Sequence, residues 1–266
     1  NYNAALALAR EVNNRAQEAT ILNNIAAVYS ASGEKRRALD SYNAVLPLRR
    51  AANDKLGEAS TLTNIGGVHA ELGENQRALE LYNQALPLWR EIKRADGEVA
   101  TIQNIGETYD RLGEKQQSLD YYSQALTLAR SIGARQTEGM IQTNLATVYS
   151  SLGEKEKAKE MYLQALEIHR ATSNRTTEAD TLHLLGFLHY ELDDLAKALD
   201  YLNQALPVWR QLKDLRGEGV TLGAMGMVYR KLDDRQKSLD SLTESLRLHR
   251  EVGNRQGEVD ALTNLG

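Results

Sequence analysis

Cysteine is absent, phenylalanine occurs once, as Phe187, and proline three times in 266 residues. Without cysteine there is no disulfide, no thiolate metal site and no thiol nucleophile. No apolar run approaches the ~20 residues of a membrane span, and nothing like a signal sequence opens the chain. A net charge of −4 comes with no concentrated basic stripe, so neither nucleic acid nor an anionic membrane is an expected partner. The short run Lys35, Arg36, Arg37 reads as a solvated helix start. What remains is rich in Ala, Leu, Glu, Gln and Arg, a composition that favours helix. With 42% hydrophobic and 26% charged residues, the expectation is a folded, cytoplasmic protein.

The three prolines share one phrase: "NAVLPLRR" at 43–50, "NQALPLWR" at 83–90 and "NQALPVWR" at 203–210. Each interrupts an otherwise helical pattern, where an interior proline costs about 3 kcal/mol. Pro47, Pro87 and Pro207 lie nine residues beyond Ala38, Ala78 and Ala198. At 100° per residue they fall opposite those alanines, on the outer face of the helix. The expected outcome is an unbroken helix, bent convex toward solvent, in which water reaches the carbonyls of Asn43, Asn83 and Asn203.

The phrase belongs to a repeat of 40 residues. "TLTNIGGVHAELGENQRALELYNQAL" from Thr61 and "TIQNIGETYDRLGEKQQSLDYYSQAL" from Thr101 are successive copies, and no insertion disturbs the frame. Glu18, Glu58, Glu98, Glu138, Glu178, Glu218 and Glu258 hold one position; Arg10, Arg50, Arg90, Arg130, Arg170, Arg210 and Arg250 hold another. The glutamate falls in the first turn of a helix and the arginine in the last turn of the helix before, where each complements a helix dipole. They are placed to pair across the turn as structural punctuation.

Each unit carries two apolar helical stripes. In the first helix Leu62, Ile65, His69 and Leu72 mark one face; in the second, Ala78, Tyr82, Ala85, Trp89 and Ile92 mark another. Gly33, Gly73, Gly113 and Gly153 end the first helix as left-handed residues, with Asp193 and Asp233 in their place later. One hairpin of this size cannot cover its own stripes, so the hairpins must stack. The expected domain is a single solenoid over 1–266. A half repeat occupies 1–17, full units 18–57, 58–97, 98–137, 138–177, 178–217 and 218–257, and a truncated repeat 258–266.

The run "NIGETYDRLGEKQQSLDYYSQAL" from Asn104 to Leu126 resembles the tetratricopeptide repeat. Its small-residue positions appear as Gly66, Gly106, Gly186 and Gly226 in the first helix, and as Ala78, Ala158, Ala85 and Ala165 among others in the second. The unit is longer than that family's usual one, and arginine replaces the usual closing proline. This is similar to the long variant of bacterial multi-repeat proteins, often found beside a caspase-like peptidase or signalling domain. The resemblance implies an all-α, right-handed superhelical solenoid of stacked helix-turn-helix repeats. Its concave face, lined by first helices, would bind a peptide or protein segment.

On each first helix the side opposite the buried stripe is expected to line that groove. In the early units it carries small and polar residues such as Thr20, Ser60, Thr63 and Gln103. In the fifth and sixth units it carries Asp180, His183, Phe187 and Tyr190, then Val220, Gly223, Met227 and Arg230. His183, Phe187, Tyr190 and Met227 therefore form the candidate anchor, with Phe187 first among them. The alternative is that these apolar residues only pack against each other along the axis. Asn24, Asn64, Asn104 and Asn144 recur on the flank of the same face. Their amides could hold the main chain of an extended peptide, as in some superhelical relatives, or make interhelical hydrogen bonds that belong to the repeat.

Nothing points to catalysis. His183 and His189 do not share a helix face, no carboxylate cluster or HExxH accompanies them, and no phosphate loop or serine nucleophile motif occurs. No metal or cofactor is expected. The functional expectation is an interaction scaffold; the alternative is the regulatory or sensor arm of a larger enzyme or signalling protein. The truncated repeats at the two ends are complementary, so head-to-tail self-association is a further expectation.

Overall fold

The computed structural model describes residues 2–266, leaving the expected helical start at Asn1 outside the described residues. Those residues contain helices and the turns between them, with no strand. They form two compact units, 1–134 and 135–266. The first unit holds α1 (Tyr2–Glu11), α2 (Arg15–Ala31), α3 (Lys35–Ala51), α4 (Lys55–Glu71), α5 (Asn75–Glu91), α6 (Ala95–Arg111) and α7 (Lys115–Ser131). The second holds α8 (Arg135–Ser151), α9 (Lys155–Ala171), α10 (Arg175–Glu191), α11 (Leu195–Leu212), α12 (Leu215–Lys231), α13 (Arg235–Glu251) and α14 (Arg255–Leu265). Even-numbered helices are the first helices of the repeat and odd-numbered ones the second.

A residue with positive φ stands at every twentieth position from 13 to 253. Gly33, Gly73, Gly113 and Gly153 take φ of 81°, 78°, 79° and 82°, and Asp193 and Asp233 follow with 62° and 57°. The turn after each second helix uses the same conformation, which the glycine pattern does not reveal, because Asn13, Asn53, Lys93, Ser173 and Lys213 serve there. At each corner two backbone N–H groups close back on the last carbonyls, as in Gly73 N to Ala70 O at 3.1 Å and Glu74 N to His69 O at 2.9 Å. The chain then starts its next helix directly. Asn14, Asp54, Asn174, Asp214 and Asn254 cap first helices by accepting the N–H three residues on.

The arginine and glutamate positions do meet across the turn. Arg50 Nε bonds Glu58 at 2.6 Å, Arg90 bonds Glu98 at 2.7 Å and Arg210 bonds Glu218 at 2.7 Å. The arginines are half exposed, so these pairs order a corner more than they stabilise the fold.

Within each unit a first helix packs on the second helix that follows it, as α4 on α5 and α8 on α9, and on the second helix before it, as α4 on α3 and α10 on α9. First helices also touch one another, α4 with α6 in the first unit and α10 with α12 in the second. Among the described residues no such packing links successive second helices within a unit, so in each unit the first helices lie on the inner side of the stack. The small-residue positions are where helices approach closely: a β-carbon at Gly66 would lie 2.6 Å from Tyr82, and one at Gly186 2.6 Å from Leu202. Ala38, Ala78, Ala85, Ala158, Ala165 and Ala198 are fully buried.

Two readings of the stripes come out differently. Pro47, Pro87 and Pro207 lie inside unbroken helices, α3, α5 and α11, with their rings exposed as expected. Leu72, assigned to the buried face, is instead 40% exposed, and its equivalents Leu112, Leu152, Leu192 and Leu232 are 36–48% exposed. Each is the residue at which its helix ends, as Leu72 does for α4, so the helical wheel no longer applies to it.

Candidate functional site

The inner face of the second unit carries a cavity; another, of about 480 Å³ between α5, α6 and α7, lies in the first unit beside Arg90, Glu98 and Ser123. His183 and Phe187 on α10, Val220, Gly223, Ala224 and Met227 on α12, and Ser245 and His249 on α13 line a space of about 460 Å³, closed on one side by α14. Phe187 keeps 39% of its surface exposed. Tyr190 does not line this cavity. Its ring packs behind Phe187, centroids 6.0 Å apart, and beneath the Lys231 ammonium, 4.4 Å from the ring centre. The expected foursome thus divides into three lining residues and one support.

The cavity exists because the sixth unit lacks side chains that other units have. At the position of Gly223 the second and fourth units carry Thr63 and Thr143, and at that of Ala224 they carry Asn64 and Asn144. Those threonines have a task in their own units. Each bonds a ring from the second helix: Trp89 Nε1 donates to Thr63 Oγ1 at 3.2 Å, and His169 Nε2 lies 3.2 Å from Thr143 Oγ1. The ring position, Arg49, Trp89, His169, Trp209 and His249, is a row that sequence reading did not connect with the groove.

A second residue reveals that row. The residue eight places after the ring is glycine where the side chain is large: Gly57 after Arg49, Gly97 after Trp89, Gly217 after Trp209 and Gly257 after His249. A β-carbon at Gly97 or Gly217 would lie 2.5 Å from the indole. Where threonine stands instead, at Thr177, its hydroxyl bonds His169 Nδ1 at 2.9 Å. The correlation was present in the repeat alignment and needed only the spacing of eight to be tested.

Beside the cavity, Asp180, Asp214 and Arg216 approach His183 and Trp209 around a smaller space of about 210 Å³. Burial, and then the Asp214 carboxylate, push the Asp180 carboxyl up to about 6. Burial pulls the His183 imidazole down to about 4, so it is neutral at physiological pH. The inner face of the second unit therefore combines apolar walls with titratable groups at its rim.

Asn24, Asn64 and Asn104 lie half-buried on α2, α4 and α6 of the first unit, and Asn144 on α8 of the second. Among the described residues the side-chain amides of these four make no hydrogen bond within the chain. Asn264 differs: it accepts from Arg230 at 3.1 Å and donates to the Asp260 carbonyl at 2.9 Å. No group of three or more His, Asp or Glu side chains among the described residues is arranged to hold a metal ion. No described helix is long and apolar enough to cross a membrane.

No curated protein matches this sequence. Solved structures share its architecture at low identity. One is BtubC (BKLC) from P. vanneervenii, 21% identical, covering 83% of this chain and 90% of that one with a TM-score of 0.70. Another is a signal transduction ATPase (STAND) protein with a tetratricopeptide repeat sensor from Pyrococcus horikoshii. It is 16% identical, with 96% of this chain and 39% of that one covered and a TM-score of 0.78. A third is the Rap conjugation gene regulator of the plasmid pLS20, solved in complex with the Phr* peptide. It is 14% identical, with 91% and 66% covered and a TM-score of 0.74. Profiles described as tetratricopeptide repeat match residues 57–131 and 137–211, and further profiles of the same description match 19–54 and 221–256. With most of its length matched in this way, and a hairpin every 40 residues, the chain belongs to the tetratricopeptide repeat family.

Proposed function

We propose that this protein is an interaction scaffold that captures a peptide or protein segment on its inner face. The observation that carries the reading is the open cavity of about 460 Å³ beneath Phe187, Val220 and Met227, with its apolar walls exposed. A surface of this kind gains roughly 1.5–3 kcal/mol for each large apolar side chain it buries. His183, Phe187 and Met227 receive a side chain of the ligand, and Tyr190 stiffens Phe187 from behind. The unpartnered amides of Asn24, Asn64, Asn104 and Asn144 hold main-chain groups, since an amide both donates and accepts. A fold-mate complexed with the Phr* peptide supports a peptide as the ligand class.

The test is affinity capture from a displayed peptide library, repeated with Phe187→Ala and with the triple change Asn64→Ala, Asn104→Ala, Asn144→Ala. Both variants are expected to keep their helical circular dichroism and to lose ten-fold or more in affinity. Undiminished binding by both would remove the proposal. A second reading, a sensor arm within a larger signalling protein, is favoured by the repeat sensor of the P. horikoshii ATPase. It uses the same groove and is separated from the first by the sequence of the gene around this segment.

A further inference from the structure

The floor of the cavity contains a hydrogen-bond donor without the threonine partner that its equivalents have in the second and fourth units; Trp209 Nε1, its equivalent in the fifth, is likewise buried without a partner. His249 is 3% exposed, and its ring lies between α12 and α14, in van der Waals range of Gly219 and Gly257. Its Nδ1 faces Asn254 Nδ2 at 3.1 Å. The orientation of that amide is fixed independently, because Asn254 Oδ1 accepts the Gly257 N–H at 3.2 Å as the cap of α14. The amide nitrogen is therefore the atom that meets the ring, and an amide nitrogen can only donate. Nδ1 must accept, which places the single proton of the neutral imidazole on Nε2.

Burial is the largest influence on His249 and holds its pKa below the ordinary value, with Asp260 and Glu258 opposing and Arg216 reinforcing the shift. The ring is neutral at pH 7, as the Asn254 contact requires.

In two other units the equivalent ring N–H meets a threonine hydroxyl. In the fourth unit His169 Nε2 meets Thr143 Oγ1, and in the second Trp89 Nε1 meets Thr63 Oγ1. The sixth unit has Gly223 at that position, and His249 Nε2 has no partner among the described residues. An unmet donor at the base of an apolar cavity selects for an acceptor. Beside it, Ser245 donates its hydroxyl proton to the Gly219 carbonyl at 2.7 Å, which leaves its oxygen able to accept. The floor thus offers one donor and one acceptor, beneath walls formed by Phe187, Val220, Ala224 and Met227.

We propose that this cavity is a subsite for a tyrosine side chain of the bound segment, its phenol oxygen accepting from His249 Nε2–H and its hydroxyl proton donated to Ser245 Oγ. The competing side chains fit less well. Phenylalanine fills the walls but leaves both floor groups unmet. A carboxylate accepts from His249 but has no proton for Ser245 and faces Asp260, which also lines the cavity. Lysine has no acceptor for His249. The inference rests on the reading of this face as a peptide groove, and it adds the chemistry of one ligand residue.

The probes are N-acetyltyrosinamide and N-acetylphenylalaninamide, titrated into the full 266-residue chain labelled with ¹⁵N. The tyrosine probe is expected to shift the His249 Nε2 and Gly223 resonances and to bind about ten-fold more tightly than the phenylalanine probe. The variant Gly223→Thr with Ser245→Ala supplies the internal acceptor used in the second and fourth units and the alanine that accompanies it there, Ala85 or Ala165. It should keep the wild-type amide spectrum elsewhere and lose the tyrosine preference. Equal affinity for the two probes, or a preference that survives in the variant, overturns the assignment. If library peptides are captured without enrichment of tyrosine, the subsite is wrong and the groove reading stands. If the tyrosine probe binds as expected while no peptide is captured, the subsite stands and the groove reading fails.

Discussion

A β-carbon added at Gly217 would stand 2.5 Å from the Trp209 indole, whereas one added at Gly33 meets nothing within 4 Å. The two glycines are needed for different reasons, and their replacement should show it. Gly217→Ala forces the indole to move within a packed layer and is expected to cost about 1–3 kcal/mol in urea denaturation. Gly33→Ala only strains a left-handed corner at φ 81° and should cost about 1–2 kcal/mol. Pairing Gly217→Ala with Trp209→Ala should remove most of the added penalty, a coupling readable in a double-mutant cycle. Titration belongs at this scale as well. His183 titrates near 4 in the folded chain against about 6.5 when unfolded, so the unfolded state takes the proton first. Its share of stability is complete above pH about 6.5 and is lost as pH falls toward 4. Asp180, among His183, Asp214 and Arg216, runs the other way: its folded value of about 6 lies above 3.8, so acidification below about pH 6 favours the folded chain. Asp180→Asn is therefore expected to raise the urea midpoint at pH 7.5, with the gain shrinking as pH falls through 6 and vanishing only below about pH 3.8.

At the scale of the helix, α5 carries Pro87 in its interior without a break. The equivalent helices α7 and α9 hold Thr127 and Glu167 there and have the same length, 17 residues. Pro87→Ala should restore a backbone hydrogen bond to Asn83 on the solvent side and raise stability by about 1–3 kcal/mol, read from the denaturation midpoint. Caps are the other lever. Asp54 both accepts the Gly57 N–H at 2.9 Å and pairs with Arg49 at 2.7 Å, so Asp54→Ala should cost about 1–2 kcal/mol, more than Asn14→Ala, which loses a cap and an exposed hydrogen bond to Gln17 but no ion pair. Much of this was legible in the sequence, because a repeated signal averages out local exceptions. The hairpin frame, the glycine corners, the outward prolines and the arginine–glutamate pairs all follow from residues that recur in one helix or at one turn. The exposed Leu72 and its equivalents were not legible, since the wheel that assigned them presumes a helix continuing past its last residue. Nor were the rings at Trp89, Trp209 and His249, whose surroundings come from three helices at once: the ring's own, the one before and the one after. Tyr190 was misplaced for a related reason, since facing inward does not decide whether a side chain lines a space or supports a neighbour.

Taken as a whole, the molecule draws its stability from contacts between neighbours in the stack, so protection should follow the burial of each helix. Among the described residues of α1 only Ala9 is a buried hydrophobic, and Tyr2 and Leu8 are exposed; α4 and α5 bury Leu62, Ile65, Tyr82 and Trp89. Amides of α1 are expected to exchange with solvent at least a hundred-fold faster than those of α4 and α5, measured by native-state hydrogen exchange. Function is distributed differently from stability. The stacking positions recur almost unchanged from repeat to repeat, while one first-helix position changes from Thr63 and Gln103 to Thr143, His183 and Gly223. The regular corners have a consequence for how such a chain changes over generations. Because the backbone turns at every twentieth residue from 13 to 253, excising residues 58–97 joins Gly57 to Glu98 in phase, and duplicating them leaves the phase equally intact. Gain or loss of whole units is thus nearly neutral for folding, and a lineage can lengthen or shorten its array while each inherited copy acquires a different inner surface.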